Sequence, residues 1–151
     1  MSSIKGKKRV QVVSVKLVKE RNEYYDFKAI KSPHDAYKIF SDFLGNADRE
    51  LFAVACLNTK NEITNLSVVH MGSLNASVVH PREVFKTAIL SNSASIICAH
   101  NHPSGHPEPS REDVEVTKRL AEAGRILGIE LLDHIIVGEN KYYSLKEKGH
   151  F

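Results

Sequence analysis

Residues 93–120, SASIICAHNHPSGHPEPSREDVEVTKRL, constrain the fold more than any other stretch of this chain. SASIICAH is a short apolar run that reads as a buried strand ending at His100. The nine residues that follow, 101–109, hold three prolines and a glycine, so neither a strand nor a helix can continue through them. Ser110 then precedes Asp113 by three positions, the spacing of a helix N-cap, and the helix is expected to run to about Leu127 and stop at Gly128. A strand, a short loop and a helix in direct succession bring the strand's last side chains back against the helix's first turn.

The remaining elements follow the same punctuation. RVQVVSVKLV at 9–18 is rich in β-branched residues and predicts a strand, and YYDFKAI at 24–30 a second one. Ser32-Pro33-His34-Asp35 predicts a helix start, with the helix running to Phe43-Leu44 and ending at Gly45. ELFAVACLN (50–58) is a near-continuous apolar run, hence a buried strand, and NTKN turns it into EITNLSVVHMG as a hairpin partner. His80-Pro81-Arg82-Glu83 opens another helix, with Val84, Phe85, Ala88 and Ile89 spaced on one face. IELLDHIIVG and KYYSL supply the last strands. Helices and strands interleave, so the class is α/β or α+β with a mixed sheet.

At 151 residues, with no Pro/Gly/Ser-rich linker, the chain predicts one domain, residues 31–151, preceded by an arm and first strand or strands over 1–30. Six of the 21 Lys and Arg residues and none of the 18 Asp and Glu lie in residues 1–19, leaving 15 basic side chains against 18 acidic ones elsewhere. The basic character therefore belongs to the arm. Its Lys5, Lys7, Lys8 and Arg9 could contact phosphates weakly, against the plainer reading of a solvated terminus. No apolar run reaches the ~18–20 residues of a membrane span, and MSSIKGKKRV lacks an apolar signal region, so a cytoplasmic protein is expected. Cys56 and Cys98 each sit inside an apolar run, and neither has zinc-knuckle or CxxC spacing. Both read as buried thiols; the alternative is that Cys98, two residues before His100, borders a site without being a ligand.

The chemistry lies at 100–113. Histidines at i and i+2 of an extended segment point to one side, so His100 and His102 can share a cation about 2.0–2.1 Å from each nitrogen, while Asn101 faces the other way and helps shape the return. Asp113 is a natural third ligand. Two imidazoles and one carboxylate leave a fourth tetrahedral position open to water, the pattern of a hydrolytic zinc site rather than a closed structural one. A general base must then come from elsewhere in the chain. The competing reading is that Ser110 and Asp113 merely cap a helix. His106, beside Gly and Pro, reads as a loop residue.

His100-x-His102-x7-Ser110-x2-Asp113 resembles the JAMM motif of the JAB/MPN metalloprotease superfamily. PREVFKTAILSNSASIICAHNHPSGHPEPSREDVEVTKRL and LLDHIIVG are similar to one branch of it, the bacterial RadC family, over about residues 30–149. The resemblance implies a JAB/MPN-like fold, a mixed, mostly antiparallel sheet flanked by helices in a cytidine-deaminase-like architecture. It implies that His100, His102 and Asp113 bind one Zn2+ ion and that Ser110 stabilises a tetrahedral intermediate. The superfamily's general base is a Glu at the start of an early strand after a helix, which Glu50 matches, with Glu83 as competitor. His134 in LLDHIIVG reads as a hydrogen-bonded core histidine sharing a strand face with Leu132 and Ile136, against a lesser metal role; Asp133 could orient a neighbour. Longer RadC proteins carry an N-terminal helix-hairpin-helix, a DNA-binding element that this sequence lacks, so the resemblance is to a stand-alone catalytic domain.

Three functions compete. The first is zinc-dependent hydrolysis of a peptide, isopeptide or other amide, with the substrate unnamed by the sequence. The second is a DNA-associated accessory module, motivated by the basic arm and by the DNA-repair link in the family's name. The third is a partner-binding scaffold that retains the ligands.

Overall fold

The computed structural model describes residues 4–151; residues 1–3, the start of the arm, lie outside the described residues. Helix α1 (Pro33–Leu44) begins where the capping sequence requires: the Ser32 side chain accepts the Asp35 N–H, Pro33 occupies the first turn, and Gly45 at φ 59 ends the helix. Strands β1 (Leu51–Leu57) and β2 (Ile63–Met71) form the expected hairpin. In its turn, Asn58 Oδ1 accepts the N–H groups of Lys60 and Glu62, and Asn61 takes a positive φ of 59°. Beyond them come α2 (Pro81–Val84), α3 (Lys86–Leu90), β3 (Ser95–Asn101), α4 (Arg111–Leu127), β4 (Glu130–Val137) and β5 (Tyr142–Ser144).

The five strands form one sheet in the order β2-β1-β3-β4-β5. Only β3 and β4 are parallel, because α4 carries the chain across between them; the other pairings are antiparallel. Alternation sends Phe52, Val54, Cys56, Ile96 and Cys98 to the face covered by α2, α3 and α4. It sends Ala53, Ala55, Leu57, Ile97 and Ala99 to the face covered by α1, where the small side chains let Ile39 and Phe40 lie close. Each large side chain buried in this way contributes about 1.5–3 kcal/mol. The residue pattern predicts a mixed sheet, and the family resemblance implies one that is mostly antiparallel and flanked by helices; the chain adopts that arrangement.

Four local expectations are corrected. Residues 7–25 carry no regular secondary structure, and Val10, Val12, Val13, Val15 and Val18 are exposed. Strand propensity is realised only where a pleated surface can be paired and half-buried, and this segment finds neither. At 24–30 the only ladder contact is one bridge, Ala29 to Glu62, although Tyr25 and Phe27 pack on the α1 side of the core. The single helix expected after His80 breaks at Phe85, whose ψ of −3° separates α2 from α3 while its ring is fully buried; Ile89 is half exposed rather than part of the core face. Finally, β4 is bulged: Ile96 pairs with Leu131 but Ile97 pairs with Asp133. The extra residue, Leu132, packs on the α1 side, so His134 does not share its face.

Candidate metal centre

The site assembles at the carboxyl end of β3, beside the start of the crossover helix. His100 pairs with Phe52 on β1 and Ile136 on β4, which places it in mid-sheet and wholly buried. Past the strand, the His102 N–H still donates to the Val137 carbonyl at 2.9 Å, so the second histidine stays in line with the first. The loop then folds back over Gly138, where a Cβ would meet the Gly105 carbonyl oxygen at 2.6 Å and the Pro107 ring at 3.0 Å. A glycine at that position lets the loop lie against the end of β4.

Helix α4 supplies the third group. Its inward stripe is Asp113, Val116, Thr117, Leu120, Ala121 and Gly124, a helical repeat whose first turn replaces an apolar residue with a buried carboxylate. Ser110 Oγ accepts the Asp113 N–H at 3.0 Å, and Asp113 Oδ2 accepts the Ser110 N–H at 2.9 Å. This capping box locks the carboxylate in place. Capping and site readings are therefore compatible, since one geometry satisfies both.

His100 Nε2 lies 3.0 Å from His102 Nε2 and 3.3 Å from Asp113 Oδ1, and His102 Nε2 lies 3.2 Å from Asp113 Oδ2. These three side chains offer ligand atoms all within 4.8 Å of one another. Two nitrogens on a tetrahedral ion at ~2.0–2.1 Å stand about 3.3 Å apart, so the donors and their spacing fit a small divalent cation. His102 Nδ1 donates to the His106 carbonyl at 2.7 Å, which leaves its Nε2 lone pair facing the site. His106 thus takes part through its backbone, not its ring.

Charge is arranged to match. Burial alone would raise the Asp113 pKa, but the adjacent His100 and His102 imidazoles and the Ser110 N–H outweigh it and hold the carboxyl far below its ordinary range. Burial lowers the His100 pKa against the opposing pull of Asp113. At His102 burial also acts to lower the pKa, but Asp113 and the His106 carbonyl prevail and raise it. Burial pushes the Cys98 thiol well above its usual range, which keeps it protonated; both cysteines are free and buried, as their apolar surroundings predict.

Glu50 is half-buried immediately before β1. Phe52, two residues after Glu50, lies opposite His100, and the charge of Glu50 favours the protonated form of both the His100 and His102 imidazoles. Its backbone is anchored on each side. Asn101 Oδ1 accepts the Leu51 N–H at 2.7 Å, Asn101 Nδ2 donates to the Arg49 carbonyl at 3.0 Å, and the Glu50 carbonyl accepts the Gly72 N–H at 2.8 Å. Glu83, the competitor, is about half exposed and bonded to Lys86 Nζ at 2.8 Å, and that hydrogen bond lowers its pKa.

His134 is a hydrogen-bonded core histidine, as its strand setting predicts. Its Nε2 lies 2.7 Å from His100 Nδ1 and its Nδ1 lies 2.6 Å from Thr117 Oγ1, while burial drives its pKa well down. Asp133 accepts from Ser144 Oγ at 2.6 Å and from the His134 and Lys146 N–H groups, so it ties β4 to the segment after β5, with burial raising its pKa. Thr117 and the stapling role of Asn101 escaped the sequence reading. Thr117 stands four residues after Asp113 on one helix face, and that spacing was the available signal.

A family model described as RadC-like JAB domain matches residues 30–150. Among curated proteins, a UPF0758 protein of Geobacillus thermodenitrificans is 52% identical over 156 residues, covering 99% of this chain and 69% of the relative. UPF0758 proteins of Bacillus cereus and Bacillus anthracis are 55% identical over 130 residues, covering 86% of this chain and 58% of theirs. With the fold, the His-His-Asp cluster and the family match in agreement, this chain belongs to the RadC-like JAB domain family.

Proposed function

We propose that this chain is a zinc-dependent hydrolase that cleaves a peptide, isopeptide or related amide bond. The observation that carries the reading is the convergence of His100, His102 and Asp113 at the end of β3, with the outer nitrogen of each ligand histidine turned inward. In this reading those three side chains hold one Zn2+ ion, which supplies Lewis acidity, acidifying water and polarising a carbonyl oxygen. Glu50 accepts the proton of the attacking water and returns it to the leaving amine. Ser110 Oγ already accepts the Asp113 N–H, so its own proton is free to donate to the developing oxyanion. The half-buried setting of Glu50 and its stapled backbone favour it over the surface-paired Glu83.

The test is metal analysis of purified protein with release of free amine from a peptide and isopeptide panel. The wild type should hold about one zinc per chain, and His100→Ala/His102→Ala should hold none. Glu50→Gln should retain zinc and lose turnover. Equal zinc in wild type and double variant would end the proposal.

Two finer points belong to the same reading. We place the protein in the cytoplasm, where Cys56 and Cys98 stay reduced; no helix among the described residues is long and apolar enough to cross a membrane. A weak nucleic-acid contact, through a DNA-repair association, is favoured by one observation: Lys5, Lys7, Lys8 and Arg9 are exposed on an arm without regular structure. A chain starting at residue 21 should then bind duplex DNA less tightly than the full chain, with a reduced salt slope. No binding of the full chain at low salt would dismiss it.

A further inference from the structure

Behind the three ligand side chains runs a second, fully buried line of polar groups: His100 Nδ1, His134 Nε2 and Nδ1, Thr117 Oγ1 and the Asp113 backbone carbonyl. Consecutive separations are 2.7, 2.6 and 2.7 Å. His100, His134 and Thr117 are all 0% exposed, so their contacts with one another are shielded from bulk solvent. The line ends on a carbonyl oxygen, which can accept a hydrogen bond but never donate one. That terminus gives the whole line a direction.

Thr117 has a single hydroxyl proton, and the Asp113 carbonyl takes it. Thr117 Oγ1 must then accept from His134, which places a proton on His134 Nδ1. A neutral imidazole carries only one, so His134 Nε2 is bare and accepts from His100 Nδ1–H. His100, also neutral with its proton on Nδ1, is left with a bare Nε2 facing His102 and Asp113. We propose that His134 and Thr117 are positioning residues that fix the tautomer of His100, holding its Nε2 lone pair ready for the cation before any cation arrives.

The fold supports this assignment at two further points. Thr117 belongs to the buried stripe of α4 and bonds back to the carbonyl four residues earlier, an arrangement that slightly weakens a helix. His134 faces α4 only because β4 is bulged at Leu132; an unbroken alternation would have turned it toward α1. The bulge and the back-bonded threonine together bring two groups into register with His100. One ligand, Asp113, thereby sets the tautomer of another through its own backbone. His102 reaches the same state independently, by donating Nδ1–H to the His106 carbonyl.

The inference deepens the metal-site reading and rests on it for its purpose, though the tautomer itself can be read without metal. The experiment compares wild type, Thr117→Val and Thr117→Ser, each with a thermal melt to establish folding. In metal-free protein, nitrogen-15 NMR of His100 should show protonated Nδ1 and bare Nε2 in wild type and Thr117→Ser. Thr117→Val should move the proton to Nε2. Zinc affinity by chelator competition should fall about 10–100-fold in Thr117→Val and recover in Thr117→Ser. His134→Gln, which keeps an acceptor for His100 Nδ1–H, should bind zinc better than His134→Leu. A folded Thr117→Val with wild-type tautomer and affinity overturns the inference, as does a wild type whose His100 carries its proton on Nε2. If wild type shows the expected tautomer but binds no zinc, the hydrolase reading fails and the hydrogen-bond line stands.

Discussion

Asn101 lies between two candidate ligands yet serves a different strand. Its amide bonds to Arg49 and Leu51, the residues on either side of Glu50. Asn101→Ala strands a strand-edge N–H and C=O and should cost about 1–3 kcal/mol, read from urea denaturation. It should also lower turnover more than zinc content, because it frees Glu50 and leaves the ligands alone; an unchanged urea midpoint would rule the staple out. Ser110 separates two roles in a similar way. As a cap it contributes about 1 kcal/mol, and replacement by glycine should cost only a few tenths. Ser110→Gly should therefore be nearly as stable as wild type but catalytically impaired. Full activity in that variant would reduce Ser110 to a cap. Both residue types were visible in the sequence, but only the fold could show that the Asn101 side chain reaches across to β1, about fifty positions away.

Among elements, α4 was the most legible and its neighbours the least. Its N-cap, its end at Gly128 and its apolar period were all local signals, and the helix forms over Arg111–Leu127. What local signals did not carry was how close its last turn comes to β4. A Cβ on Gly124 would lie 2.5 Å from the Ile129 carbonyl oxygen and 3.3 Å from the Phe85 ring. Gly124→Ala should thus destabilise by about 1–3 kcal/mol despite alanine's better helix propensity, as overpacking against backbone outweighs a gain of roughly 1 kcal/mol. A stabilised variant in chemical denaturation would contradict the close approach. The broken helix at Phe85 and the bulge at Leu132 were invisible for a related reason. Periodicity describes an ideal element, whereas a break or bulge is decided by what the element must pack against.

For the whole molecule, the His-His-Asp cluster joins the end of β3 to α4, and Asn101 ties β3 to the start of β1, so an ion bound at the cluster would couple the crossover to the sheet. A ligand that binds only the folded chain stabilises it by about 2.7 kcal/mol at one hundred times its dissociation constant. Zinc added to metal-free protein at that excess should raise the melting temperature by roughly 5–11 °C for a chain of this size. His100→Ala/His102→Ala should show no such rise, and equal shifts in both proteins would mean that zinc binds elsewhere. The basic arm lies outside this coupling, since its valines are exposed and residues 7–25 add no strand to the sheet.

The sequence by itself determined the strand-loop-helix unit, the cap that places Asp113, the histidine pair on one side of β3 and the mixed character of the sheet. Each of those depends on neighbours within a few residues, where backbone sterics and alternation suffice. Tertiary structure alone decided that 9–18 stays unpaired, that His134 turns toward α4, that Thr117 completes a hydrogen-bonded line and that Asn101 anchors the segment around Glu50. Those outcomes depend on which surfaces compete for burial and which buried polar atoms must find partners, and both are properties of the assembled chain.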